Sequence, residues 1–353
     1  MRKNKIVIRA DSSYQLGGGH LFRCIVLAKA LKKLGYHILF LCKNLPGHMA
    51  QRVVNAGFEL RLFDLFSSND ELHFIKKFLN PYNGDVFFIV DHYSWTIEHE
   101  KSIRSYISTL MVIDDCPRRT HDCDILLDQN YFNKMLSLYK ELVPVCCVLL
   151  LGPQYALLDN SFSKHLPSLK SNLSEKKKIL VFFGSSDVGN FTKKLFSIVL
   201  TSHALMQHQY TVILGDSYSH RSEFIDQVGY RSNIKISPMI DDFVDLIDLH
   251  DVYLGSCGSI IWGVISRGIP VIGIPIVENQ CMNAENGNNI FLTVLTQYGV
   301  WEPDLILKKL IDFLSNDEKL NAIALRARKI VFFNGADAVA SAIMAIDSKE
   351  HCV

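Results

Sequence analysis

The chain reads as an α/β protein made of two doubly wound parallel-sheet domains, and three observations predict it. Short runs rich in Val, Ile, Leu and Phe alternate with helical patterns along its length, as strands and crossover helices do in parallel sheets. Those runs are continuously apolar, the signature of strands buried on both faces. The pattern also restarts after a polar stretch, and 353 residues suit two domains better than one core.

In order, the first half offers strands at residues 6–8, 37–42, 86–90, 109–113 and 125–127, with an amphipathic helix at 21–34. Between Leu158 and Lys178 the chain turns polar, through Asp159-Asn160-Ser161 and on to Glu175-Lys176-Lys177-Lys178. That stretch reads as a solvated linker rather than a basic patch, so domains are expected at 1–158 and 178–353 with 159–177 between them. The second half offers strands at 178–183, 210–214, 234–236, 252–254 and 271–274, and helices at 191–202 and 260–267. Ligands of such folds bind at the carboxyl ends of strands, here in an expected interdomain cleft.

Composition removes several function classes. Hydrophobic residues make up 48% and charged residues 21%, the balance of a packed globular protein. A formal net charge of +1 gives no global field toward nucleic acid or an anionic membrane. No apolar stretch is long enough to span a bilayer, and the start, Met1-Arg2-Lys3-Asn4-Lys5, leads into a strand rather than a signal-peptide core. A cytoplasmic monomer without nucleic-acid partner is expected. The nine cysteines are scattered without zinc spacing, and they read as reduced, structural residues.

The densest chemical signal is the stretch from Arg9 to Cys24. An apolar run precedes Asp11-Ser12-Ser13-Tyr14-Gln15-Leu16-Gly17-Gly18-Gly19-His20, and a helical pattern follows. Glycines let the backbone turn tightly and approach a ligand, so Gly17 and Gly19 are binding candidates. His20 falls in the first helical turn, where the helix dipole favours the neutral ring, a form able to take a proton. The plain alternative is an ordinary turn followed by a surface histidine.

A second signal is Gly255-Ser256-Cys257-Gly258-Ser259, which follows a strand and opens a helix. Backbone N–H groups of Gly258, Ser259 and Ile260 at a helix start can hold a diphosphate without lysine or metal. Glu278-Asn279-Gln280 lies at another strand's carboxyl end, where a capped helix start is the plain alternative. Asp122-Cys123-Asp124 has the Asp-x-Asp form of some cation sites, but its context favours no metal. Asp114-Asp115 reads as loop capping, and His92 and His121 are secondary candidates because both flank strand ends.

These segments resemble the PseG family, UDP-sugar hydrolases of pseudaminic acid biosynthesis, which share the GT-B architecture of the MurG-type transferases. The N-terminal pattern is carried by Arg9, Asp11, Ser13, Gly17, Gly19, His20, Arg23 and Cys24. Further matches are Val90-Asp91-His92-Tyr93, Ile113-Asp114-Asp115, Leu127-Asp128-Gln129-Asn130 and the run from Leu151 to Leu158. In the second half they are Phe183-Gly184-Ser185-Ser186-Asp187, Gly258-Ser259, Trp262 and Glu278-Asn279-Gln280.

The resemblance implies two Rossmann-like domains in a GT-B arrangement and hydrolysis of a UDP-linked 2,4-diacetamido-2,4,6-trideoxy sugar. Water would attack C1 with inversion, and no cofactor or metal would be needed. His20 would be the base, with Tyr93 and Asn279 near the sugar and water. Arg9, Ser185, Ser186 and Gln280 would join the glycine turns in binding, and Met239 and Ile240 would meet uracil. A GT-B transferase and a non-catalytic nucleotide-sugar binder remain alternatives. One departure stands out: the family's Trp-Glu pair is here Trp262-Gly263, which removes the carboxylate expected on the ribose. Restoring it with Gly263→Glu is expected to tighten UDP binding if the side chain reaches the ribose.

Overall fold

A computed structural model describes residues 5–64, 68–132, 135–164, 167, 174–239 and 243–350. The chain divides into two units, Met1–Asp159 with Asn334–Val353, and Asn160–Phe333.

The first unit runs β1 (Lys5–Ala10), α1 (Gly19–Lys33), β2 (His37–Lys43), α2 (Gln51–Asn55), β3 (Glu59–Phe63), α3 (Ser68–Leu79), β4 (Phe87–Asp91), α4 (Ile97–Ile103), β5 (Thr109–Ile113), β6 (Ile125–Asp128), α5 (Met135–Tyr139) and β7 (Val148–Leu151). The second holds β8 (Lys178–Phe182), α6 (Phe191–Val199), α7 (His203–Met206), β9 (Gln209–Leu214), α8 (Arg221–Val228), β10 (Ile234–Pro238), α9 (Phe243–Asp248), β11 (Val252–Ser256), α10 (Ile260–Ser266), β12 (Val271–Ile274), α11 (Cys281–Gly287), β13 (Leu292–Val294), α12 (Pro303–Leu314) and α13 (Asp317–Ala327). The last helix, α14 (Gly335–Glu350), returns to the first unit.

Both sheets are parallel, ordered β3-β2-β1-β4-β5-β6-β7 and β10-β9-β8-β11-β12-β13. In each, the order reverses beside the first strand, so the carboxyl ends of β1 and β4, and of β8 and β11, open the crevice where such sheets bind ligands. The central strands read as expected because both faces are covered: Ile6, Val7 and Ile8 are fully buried, as are Phe88 and Ile89. Each such side chain contributes about 1.5–3 kcal/mol by leaving water.

Three strands escaped the apolar-run criterion, and all are edges: β3, β7 and β13. β3 reads Glu-Leu-Arg-Leu-Phe and is largely exposed, since an edge strand has no second neighbour to bury it.

The boundary expectation also needs correcting. Residues 334–353 were assigned by the linker to the second domain, but α14 belongs to the first unit. Ala336, Val339, Ala340 and Ile343 pack in one core with Leu21, Cys24, Leu27, Ala28 and Leu31 of α1. Tyr36 adds a hydrogen bond from its hydroxyl to Asp347 at 3.0 Å. Apolar matching between distant segments decided this, and no linker composition signals it. Among the described residues, no helix is long and apolar enough to cross a membrane.

Candidate active site

In the first unit, the site grows from the two strands at the reversal point. β1 ends at Ala10 and the chain enters the loop before α1. Gly17, at φ +70°, takes a left-handed conformation that closes this loop. Its N–H donates to Ser13 O at 2.9 Å, while Ser13 Oγ accepts from Gln15 N and Leu16 N at 3.2 and 3.0 Å. The loop thus spends these donors on itself, and Gly17 shapes the turn rather than binding a phosphate. Gly19 lies exposed at the start of α1, where opening N–H groups have no intrahelical acceptor.

His20 projects from that first turn, with its side chain 11% exposed, and meets Asp91 at the end of β4. The Nδ1 to Oδ1 distance is 2.6 Å. A carboxylate only accepts, so in the neutral ring the contact fixes the proton on Nδ1 and leaves the lone pair on Nε2. The same histidine–carboxylate geometry orients the base of hydrolytic triads.

Asp91 is itself held by Arg23, one helical turn beyond His20. Arg23 Nε and Nη2 donate to the two Asp91 oxygens at 2.6 and 2.7 Å, and Nη1 donates to Asp115 at 2.8 and 3.0 Å. Burial alone would raise the Asp91 pKa, yet Arg23 and then His20 hold it well below the usual carboxylate range. Asp115 is depressed in the same way, by Arg23 against burial. One guanidinium faces two carboxylates, so the cluster carries an excess negative charge beside His20.

Tyr93 completes the group. Its ring meets His20 edge-on, centroids 4.6 Å apart at 83°, and its hydroxyl donates to Asp115 at 2.9 Å. Burial and then Asp115 raise the phenol pKa, so Tyr93 is a neutral packing and hydrogen-bonding partner rather than an acid or base.

Arg9 does not join this site. It is fully buried, its Nη1 and Nη2 pair with Asp11 at 2.5 and 2.7 Å, and its Nε bonds Glu71 at 2.8 Å. A fully buried guanidinium matched to two carboxylates does not face a nucleotide, so the expected binding role is replaced by a structural one. Asp11 also takes Lys43 N at 2.7 Å and His92 Nε2 at 3.0 Å, tying the chain after β1 and β4 to the end of β2. His121 is likewise internal, between Glu100 at 2.7 Å and Asp114 at 3.2 Å. Burial would lower its pKa, but these two carboxylates push it up to about 9. Asp122 and Asp124 are engaged by Arg104 at 3.0 and 2.6 Å. Among the described residues no group of three or more His, Cys, Asp or Glu side chains is placed to hold a metal.

In the second unit, Cys257, Gly258 and Ser259 follow β11, and the latter two with Ile260 are half-buried at the start of α10. Gln280 stands behind this turn. Its Oε1 accepts from Cys257 N at 3.2 Å and Ile276 N at 3.1 Å, clamping the ends of β11 and β12. Its acceptor is therefore used by the scaffold, where it positions the glycine turn. Asn279 is half-buried beside Gln280 on the short turn Glu278–Gln280. Ser185 and Ser186 are half-buried after β8, but the adjoining helix start is closed by the chain itself: Asp187 accepts from Phe191 N and Thr192 N at 2.8 Å each. Met239 follows the edge strand β10, and Ile240 lies outside the described residues.

Gly263 corrects another expectation. It is helical, as required for a carboxylate there to point outward, but it is buried. A Cβ at this position would stand 2.4 Å from the Phe162 ring, whose backbone carbonyl is fixed by Arg267 at 2.7 Å. Phe162 occupies the space that a glutamate side chain would need.

Sequence reasoning passed over Asp91, Arg23 and Asp115 as functional groups. The available signal was the spacing of Arg23 from His20 on one helix face, together with acidic residues ending or following β4 and β5.

No family model matches the chain. A 193-residue stretch, 55% of the chain, is 28% identical to the UDP-2,4-diacetamido-2,4,6-trideoxy-beta-L-altropyranose hydrolase of Campylobacter jejuni and covers 65% of it. A 287-residue stretch, 76% of the chain, is 28% identical to an uncharacterized protein of Methanocaldococcus jannaschii and covers 55% of that protein. The chain thus spans between half and two thirds of the length of these relatives. Among solved structures, Acinetobacter baumannii MurG matches with a TM-score of 0.63 at 13% identity, over 97% of this chain and 99% of that one.

The two parallel sheets and this likeness define a GT-B-type fold. Within that class, just over half of the chain is similar to the Campylobacter hydrolase, in line with the family that its motifs resemble.

Proposed function

We propose that the chain hydrolyses a UDP-linked 2,4-diacetamido-2,4,6-trideoxy sugar to free sugar and UDP. The observation that supports this best is the His20–Asp91 pair, 2.6 Å apart at the reversal point of the first sheet. The coarser reading, an enzyme acting on nucleotide sugars, draws on the relationship to the Campylobacter hydrolase and on the GT-B-type fold.

In this reading His20 Nε2 takes a proton from water as the water oxygen attacks C1. The bond from C1 to the phosphate oxygen breaks, its electrons leave with UDP, and the sugar inverts. Asp91 holds the ring in the productive tautomer, and Tyr93 packs against it. The turn at Gly258, Ser259 and Ile260 receives the diphosphate, and Asn279 contacts sugar or water. UDP leaves as a stable diphosphate trianion, its new charge spread over the terminal phosphate oxygens, so no acid is required on that side.

The test is UDP release from the nucleotide sugar without any acceptor, in wild type and in His20→Ala. Loss of a general base costs on the order of 10²–10⁴-fold in kcat, with UDP binding retained. Strict dependence on an added acceptor alcohol would mark a transferase instead. Turnover in His20→Ala equal to wild type would reject His20 as the base.

A further inference from the structure

A pair of thiols lies at the opposite end of the first sheet from His20. Cys123 precedes β6 and Cys147 precedes β7, and these neighbouring strands are in register from Ile125 with Val148. Their sulfurs stand 3.7 Å apart, and both are free thiols, Cys123 buried and Cys147 half-buried. Backbone hydrogen bonds tie these strand starts together: Val148 N donates to Asp124 O at 2.8 Å and Asp124 N to Leu110 O at 2.9 Å.

We propose that Cys123 and Cys147 form an oxidisable dithiol that closes to a disulfide between the starts of β6 and β7. The sulfurs have to approach from 3.7 Å to about 2.05 Å, a displacement shared by two side chains on adjacent strands. Cys147 is the attacking group, being the one that solvent reaches. The hydrogen bond from Cys123 also holds the Cys147 thiol below its ordinary value against the effect of burial, and the thiolate is the nucleophile. That same bond and then burial push Cys123 upward, which suits the second, resolving step.

The chemistry balances with hydrogen peroxide as oxidant. Cys147 sulfur attacks one peroxide oxygen, the O–O bond breaks, the thiol proton leaves with the departing hydroxide as water, and a sulfenic acid forms on Cys147. Cys123 sulfur then attacks that sulfenic sulfur, and its proton departs with the hydroxyl as a second water. A small-molecule disulfide serves equally, two thiol–disulfide exchanges releasing two thiols. The cross-link joins strand ends remote from the carboxyl edge that carries His20.

The test uses the full chain, treated with dilute hydrogen peroxide or with oxidised glutathione and digested without reduction. One peptide pair joining Cys123 to Cys147 is expected in wild type and in Cys146→Ser, where the adjacent exposed thiol is removed. The pair is expected to disappear entirely in Cys147→Ser, and oxidation should raise the unfolding midpoint only where the cross-link forms. Peptide mapping of the wild type decides the question even if a variant folds poorly. Cross-links running through Cys146, or Cys147 driven to sulfinic acid without a partner, would overturn the assignment.

Discussion

Replacing Asp91 by Asn probes the histidine pair and the buried charge cluster together. Oδ1 of Asp91 receives His20 Nδ1 at 2.6 Å and Arg23 Nη2 at 2.7 Å, and Oδ2 receives Arg23 Nε at 2.6 Å. A carboxamide keeps one oxygen and puts an NH₂ group in place of the other. With nitrogen toward His20, Nδ1 must accept, the ring proton moves to Nε2, and the outward lone pair is lost. With nitrogen on the other side, an amide donor confronts Arg23 Nε–H. Either way a guanidinium donor loses its acceptor. Removing one partner from a buried ion pair costs about 3–5 kcal/mol. Asp115 still receives Arg23 Nη1, and about 2 kcal/mol is expected to be lost, below the 5–15 kcal/mol typical of domain stability. Denaturant unfolding at neutral pH measures this. Turnover should fall further than stability, by up to about 10⁴-fold, the effect of the same carboxylate-to-amide change in a serine-protease triad. A folded Asp91→Asn protein with unchanged stability and unchanged UDP release would refute both the tautomer assignment and the charge accounting.

Stability should decline on the alkaline side because of His121. Its folded pKa of about 9 exceeds the unfolded value of about 6.5, so its contribution is complete below pH 6.5 and lost as pH rises through 9. The loss is on the order of 3 kcal/mol, and unfolding midpoints measured across that window should fall more steeply in wild type than in His121→Asn; equal slopes would contradict it. Gly263→Glu should destabilise the second unit by on the order of 2 kcal/mol through overpacking on Phe162, without tightening UDP binding. Calorimetric titration showing tighter binding at unchanged stability would mean that Phe162 yields readily. Activity should survive EDTA, since Asp122 and Asp124 are committed to Arg104; loss on chelation with recovery in Mg²⁺ would point to a cation site.

What the sequence determined is whatever short-range physics encodes. Continuous apolar runs such as Ile6-Val7-Ile8 mark strands buried on both faces, and the turn at Gly17 followed by a helical period locates His20 at a helix start. The two-sheet class and the position of the candidate base follow from these alone. Tertiary structure decided everything that depends on partners far apart in the chain. Arg9 could have faced a ligand until pairing with Asp11 and Glu71, the latter 62 positions away, held it fully buried. Asp91 became the partner of His20 because β4 lies beside β1 in the sheet, an adjacency that a separation of 71 positions does not announce. Gly263 looked like a missing carboxylate until Phe162 was found filling that space, and α14 returned to the first unit because its apolar face fits α1. Local pattern fixes which groups are available at each strand end. Charge pairing and close packing between distant segments then select which of them stay free to do chemistry.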